Sequence, residues 1–115
     1  MNDYQIKALA AVSAAMAIAA AAFGAHAAHG EAVEWLHTGG QYQLVHAVAT
    51  IMLADRARGP ALMLLIGSLI FAVTLYAMAI GAPRWFGAIT PIGGAMVIGG
   101  WLWFAYRALR QRSEQ

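Results

Sequence analysis

Four long stretches of the chain carry no formal charge: residues 8–25, 35–54, 61–82 and 85–106. Each approaches the ~20 residues that a helix needs to cross ~30 Å of hydrocarbon. In lipid the backbone has no water to bond, so such a stretch must satisfy its own N–H and C=O groups, as a helix does. The pattern predicts an all-α fold, a four-helix transmembrane bundle. The expected spans are 7–28, 35–54, 61–82 and 89–107, within one integral membrane domain covering 1–115.

Composition removes the competing classes. Of 115 residues 62% are hydrophobic and 10% charged, with a mean hydropathy of +0.63. Ordinary soluble domains are about one quarter charged, and a soluble domain this small has too little interior for so many apolar side chains. A soluble enzyme, a disordered tail and a nucleic-acid-binding domain are excluded; a net charge of +2 likewise does not suggest a nucleic-acid partner. With no cysteine, disulfides, thiol catalysis and thiolate metal sites are excluded too.

The first stretch has a second reading. Lys7, the alanine-rich run and Ala25-His26-Ala27 together look like a secretory leader with its cleavage site. The run is long for a leader's apolar core, so the expectation is a retained first helix.

The breaks are legible. Asp55, Arg56, Arg58, Gly59 and Pro60 form a polar turn, and Gly81-Ala82-Pro83-Arg84 ends the third helix. Thr90 before Pro91 reads as an N-cap with proline in the first helical position. Trp85 and Phe86 are expected at the membrane surface. Residues 31–38 read as a short interfacial helix that Gly39-Gly40 breaks or bends.

Four spans put both termini and the middle turn on one side. That side holds Lys7, Arg56, Arg58, Arg107, Arg110 and Arg112, and the other only Arg84. By the positive-inside rule both termini are expected to be cytoplasmic, in a cell inner membrane. Small residues on one face of the first helix (Ser13, Ala17, Ala20 or Ala21, Gly24) and of the fourth (Gly93, Met96 or Val97, Gly100) predict close helix packing.

Polar side chains point to one level of the bundle. His26 ends the first helix; Tyr42, Gln43 and His46 lie on the second, Thr74 and Tyr76 on the third, and Thr90 opens the fourth. All are expected in the outer half of the membrane. An intramembrane histidine is costly and faces protein or a cavity. The first reading is interhelical hydrogen bonding, with Tyr42, Gln43 and Tyr76 as partners of the histidines. The second is an outer-leaflet pocket in which His26, Tyr42, Gln43, His46, Tyr76 and Thr90 orient a lipid, quinone or other small amphiphile. The third is haem or a metal held by His26 and His46 from two sides. In the outer loop His29, Glu31, Glu34 and His37 are potential metal ligands, more simply read as a solvated loop. No phosphate loop, zinc-binding histidine pair or serine elbow is present, so no catalytic residue and no cofactor is assigned.

Four ordered motifs carry a family resemblance. They are Phe23-Gly24-Ala25-His26, then Gln41-Tyr42-Gln43-Leu44-Val45-His46-Ala47, then Phe71 with Leu75-Tyr76, and finally Gly87-Ala88-Ile89-Thr90-Pro91-Ile92-Gly93-Gly94. The chain resembles the family catalogued as domain of unknown function 423, which includes bacterial inner-membrane proteins and eukaryotic relatives similar to transmembrane protein 256. It departs from that pattern at Ala27 and Ala28, where glycine and leucine are usual. It departs again at Ala72, Val73 and Thr74, where serine, glycine and serine are common, and at Ala88, where proline is common. The resemblance implies four helices and an inner membrane, and supplies no activity. The expected function is thus a non-enzymatic membrane protein with a polar pocket. The alternative is an accessory subunit of a larger membrane complex or a homo-oligomer.

Overall fold

The computed structural model describes the backbone of residues 1–114 and the side chains of residues 1–111. Arg112, counted above among the basic residues, lies outside the described side chains. Helix α1 (Asp3–His26), α2 (Glu31–Leu53), α3 (Arg58–Ala79) and α4 (Thr90–Glu114) follow one another, with a short 3-10 segment (Arg84–Ala88) before α4.

Local chemistry explains the limits. The helix α1 starts ahead of the expected span because Asn2 and Gln5 form a capping box, Gln5 N–H donating to Asn2 Oδ1 at 2.8 Å and Asn2 N–H to Gln5 Oε1 at 3.0 Å. After Ala79 the chain turns at Gly81, whose φ of +110° suits glycine alone. Thr90 does not cap α4 as expected. Its hydroxyl sits 2.6 Å from Thr74 Oγ1 and 3.4 Å from the Phe86 carbonyl, so it links α4 to α3 instead.

Gly39-Gly40 also departs from expectation. The helix α2 runs unbroken through both. These glycines create room for neighbours: a Cβ on Gly39 would lie 2.7 Å from Tyr76 Cε1, and one on Gly40 would lie 3.0 Å from the Ala17 carbonyl oxygen. Two glycines inside a helix cost about 2 kcal/mol of propensity, and here close approach on two sides offsets it.

Short turns make the helices alternate in direction. The N-terminus, the α2–α3 turn and the end of α4 share one end of the molecule (the terminal end). The α1–α2 turn and the 3-10 segment share the other (the loop end). The α2–α3 hairpin is the centre. The helix α1 packs on α2, Gly24 against Leu36 and Ala17 against Gly40; α4 packs on α3, where a Cβ on Gly93 would lie 2.5 Å from the Gly67 carbonyl oxygen and the Phe71 nitrogen. The small faces expected on the first and fourth helices are therefore packing faces. Among the described residues the backbones of α1 and α4 make no approach to each other. Near the terminal end Ala49, Leu53, Ala57, Ala61 and Leu64 form an apolar cluster joined by Val97 and Phe104 of α4.

Among the described residues three stretches are long and apolar enough to cross a membrane: Asp3–His26, Arg58–Ala79 and Arg84–Gln111. Polar residues keep α2 out of that set, yet it reaches both ends. Its Leu36 meets Gly24 near the loop end, and Asp55 just beyond it pairs with Lys7 at 3.6 Å at the terminal end. Its buried polar side chains, Gln43, His46 and Thr50, are tolerable because neighbours flank α2 there.

Candidate functional site

The polar side chains of α2 divide by face. Gln43 is fully buried, with its Nε2 donating to Ser13 Oγ on α1 at 3.0 Å and its Oε1 accepting from the Tyr76 hydroxyl on α3 at 2.6 Å. Three helices are thus tied through one amide. Two turns further, the Thr50 hydroxyl lies 2.7 Å from the His46 carbonyl and 3.2 Å from the Ala61 carbonyl. Among the described residues every buried side-chain nitrogen and oxygen has a partner. Leaving such a group unpaired away from water would cost about 1–3 kcal/mol.

His46 faces α4. Its Nδ1 is 2.7 Å from the Tyr42 carbonyl, and its Nε2 is 3.0 Å from Trp101 Nε1. A carbonyl only accepts and an indole N–H only donates. The two bonds together require the proton on Nδ1 and the lone pair on Nε2, so both ring nitrogens are occupied. Of the partners expected for this histidine, Tyr42 serves through its backbone carbonyl, whereas Gln43 and Tyr76 bond each other instead.

A cleft of ≈ 270 Å³ opens beside this ring between α2, α3 and α4. Phe71, Gly94, Val97 and Ile98 wall it; His46 and Ser68 are its buried polar residues, and the Ser68 hydroxyl is held by the Leu65 carbonyl at 3.1 Å. Tyr42 stands at its rim, half exposed, its ring 5.0 Å from that of Phe71 and stacked at 6.2 Å with His46. A second hollow of ≈ 300 Å³ adjoins across Tyr42 and His46 and adds Gln41 and Val45. Drug-sized ligands occupy about 300–1,000 Å³, so the cleft suits something slender.

Gln41 and Tyr42 differ from every polar residue above. Both are exposed, and neither the Gln41 amide nor the Tyr42 hydroxyl has a hydrogen-bond partner among the described residues. Gln41 lies about 15 Å along the axis from the start of α2, well inside the helix.

The six residues singled out from sequence do not form one site. Tyr42 and His46 line the cleft, Gln43 and Tyr76 form the closed link, and Thr90 pairs with Thr74. His26 is exposed at the loop end of α1. Ser13 opposite Gln43 and Gly24 opposite Leu36 fix the register, which separates His26 from His46 by about 20 Å. The two histidines therefore cannot hold one haem or metal, which corrects that expectation. In the loop, Glu31 pairs with Arg84, whose guanidinium lies 5.8 Å from the Trp35 ring. His29, Glu34 and His37 do not join it in a metal-binding group among the described residues. Sequence reading missed Gln41 and Trp101. Gln41 opens the glutamine-tyrosine motif, which was the available signal; nothing local marks Trp101.

A bundle of long apolar helices whose buried polar side chains bond one another defines a small polytopic membrane protein. Residues 20–94 match the family model described as "Protein of unknown function (DUF423)", and the chain belongs to that family. It is 37% identical over 106 residues to a "UPF0382 membrane protein" of Haemophilus influenzae, covering 80% of this chain and 86% of the relative. It is 32% identical over 117 residues to "UPF0382 inner membrane protein YgdD" of Escherichia coli, covering 91% and 89%. It is 31% identical over 116 residues to "UPF0382 membrane protein YwdK" of Bacillus subtilis, covering 89% and 94%. No solved structure matches. The family motifs fall on the helix contacts: Gly24 on Leu36, Tyr76 on Gln43, Thr90 on Thr74 and Gly93 on Gly67.

Proposed function

We propose that this is a non-enzymatic protein of a cell inner membrane that holds a slender neutral amphiphile, a lipid or a quinone, beside α2. One observation carries the reading. Among the described residues the Gln41 amide and the Tyr42 hydroxyl are unpaired at the mouth of an apolar cleft, while the polar groups buried in the bundle are all paired. Unpaired amide and hydroxyl groups in hydrocarbon cost several kcal/mol, and a carbonyl or hydroxyl head on a ligand would relieve that cost. Its chain would lie along Phe71, Val97 and Ile98. His46, fixed by Trp101 and the Tyr42 carbonyl, orients the Tyr42 ring. Both termini face the cytoplasm in this reading, because six of seven basic residues lie at the terminal end. The cleft then opens near mid-membrane.

The test is native mass spectrometry of the full chain in a mild detergent, with a visible absorption scan of the same sample. A reproducible added mass that is lost in Gln41→Leu with Tyr42→Phe supports the reading, and its value separates lipid from quinone. A bare chain overturns it. A bare chain of doubled mass that becomes single in the same variant favours a second reading, in which another copy of the chain or an accessory role in a larger complex covers Gln41.

A further inference from the structure

The terminal end holds a second candidate site that does not depend on the cleft. Among the described residues it gathers five basic side chains, Lys7, Arg56, Arg58, Arg107 and Arg110, against two carboxylates, Asp3 and Asp55. Both carboxylates are taken. Asp3 pairs with Arg58, and Asp55 with Lys7 at 3.6 Å. Arg56, Arg107 and Arg110 have no carboxylate partner among the described residues.

Geometry brings these residues to one turn of the bundle. Arg107 Nη2 donates to the Arg56 carbonyl at 3.3 Å, which fixes α4 against the α2–α3 turn at Arg56. Arg110 lies one turn further, 5.9 Å from the Tyr106 ring, with its Nη1 3.5 Å from the Tyr106 hydroxyl. A hollow of ≈ 280 Å³ lies among Tyr106, Arg107, Arg110 and Gln111. Arg107 follows Thr90 by about 26 Å of helix, close to the ~30 Å of the hydrocarbon layer, which places the cluster at headgroup level. Trp103 packs on Gly59 just below, where interfacial aromatics belong.

We infer that Arg56, Arg107 and Arg110 form a site for the phosphate of an anionic phospholipid in the leaflet at the terminal end. A guanidinium fork matches phosphate oxygens in geometry as well as charge. Among the described residues only one N–H of Arg107 is used within the chain. The lipid is favoured over a soluble phosphate because the cluster borders apolar helix surface, with exposed Leu102 one turn below Tyr106 to receive an acyl chain. Attraction of this kind is worth roughly fivefold in affinity for each basic residue near the surface.

The experiment measures binding of phosphatidylglycerol and of phosphatidylcholine to the purified full chain by native mass spectrometry. The wild-type chain is expected to prefer phosphatidylglycerol, and Arg56→Gln with Arg107→Gln and Arg110→Gln to lose that preference. Arg110→Gln alone, at an exposed position, gives a partial loss of roughly fivefold and guards against misfolding of the triple variant. Arg84→Gln, at the opposite end, should keep the preference. A preference unchanged in the triple variant overturns the site, and so does an equal loss in Arg84→Gln. Glycerol phosphate that competes as well as the lipid overturns the assignment to a lipid.

Discussion

Gln43 and Gln41 stand two residues apart on one helix and meet opposite fates. Gln43 points between α1 and α3, where Ser13 and Tyr76 use both ends of its amide. Gln41 points away from the bundle, and no side chain answers it among the described residues. The contrast extends along α2. On one face Gly39, Gly40, Gln43 and Thr50 let neighbours close in and bond; on the other Gln41, Tyr42 and Val45 border open hollows. The same residue type serves cohesion on the first face and is available for recognition on the second. Sequence separation alone does not tell them apart, because two residues along a helix rotate the side chain by about 200°.

The most severe way to break this comparison is to remove the wall of the open face. A side chain at Gly93 would meet backbone atoms of Gly67 and Phe71 that cannot yield, so Gly93→Val should cost about 3 kcal/mol or more and displace α4. Loss of folded protein in detergent on heating, with loss of any bound mass, would check it. Next comes the closed face. Gln43→Leu deletes two bonds and strands the Tyr76 hydroxyl, so it should cost about 1–3 kcal/mol in a reversible unfolding titration while leaving ligand retention intact. Trp101→Phe removes the indole donor to His46 and part of the ring that meets it edge-on, and should cost on the order of 1 kcal/mol, within the range of interhelical bonds in membrane proteins. The smallest loss of stability, none at all, is expected for Gln41→Leu, which breaks no bond among the described residues and removes an unpaired amide from hydrocarbon. If Gln41→Leu instead destabilised as much as Gln43→Leu, the two faces would not differ in kind.

Much of the fold was open to inspection in the sequence, because hydrocarbon leaves the backbone few options. Charge-free stretches mark the helices, and Ser13, Ala17 and Gly24 share a face that does pack. The break assigned to Gly39-Gly40 failed for a physical reason. Glycine lowers helix propensity, but it also admits a neighbour, and only the position of Tyr76 and Ala17 decides which effect wins. The candidate site was less legible. Tyr42 and His46 stand out in the sequence because polar residues are rare at this depth. The grouping with His26 and Thr90 failed because depth was judged from each helix alone, without the register that Ser13 and Gly24 set against α2. Trp101 could not be chosen from four tryptophans until α4 was seen against α2.

The absence of backbone approach between α1 and α4 bears on how the protein is made. Each helix packs chiefly on the one synthesised just before it. No early helix must wait for the last to arrive, and most helix packing joins neighbours in sequence, the circumstance that favours rapid folding. Insertion can proceed in the order of translation: α1 and α2 pair, α3 completes the Gln43 link, and α4 arrives last to supply Trp101 to a histidine already in place. A nascent chain halted before α4 would hold the closed face of α2 complete, with the cleft still lacking its third side.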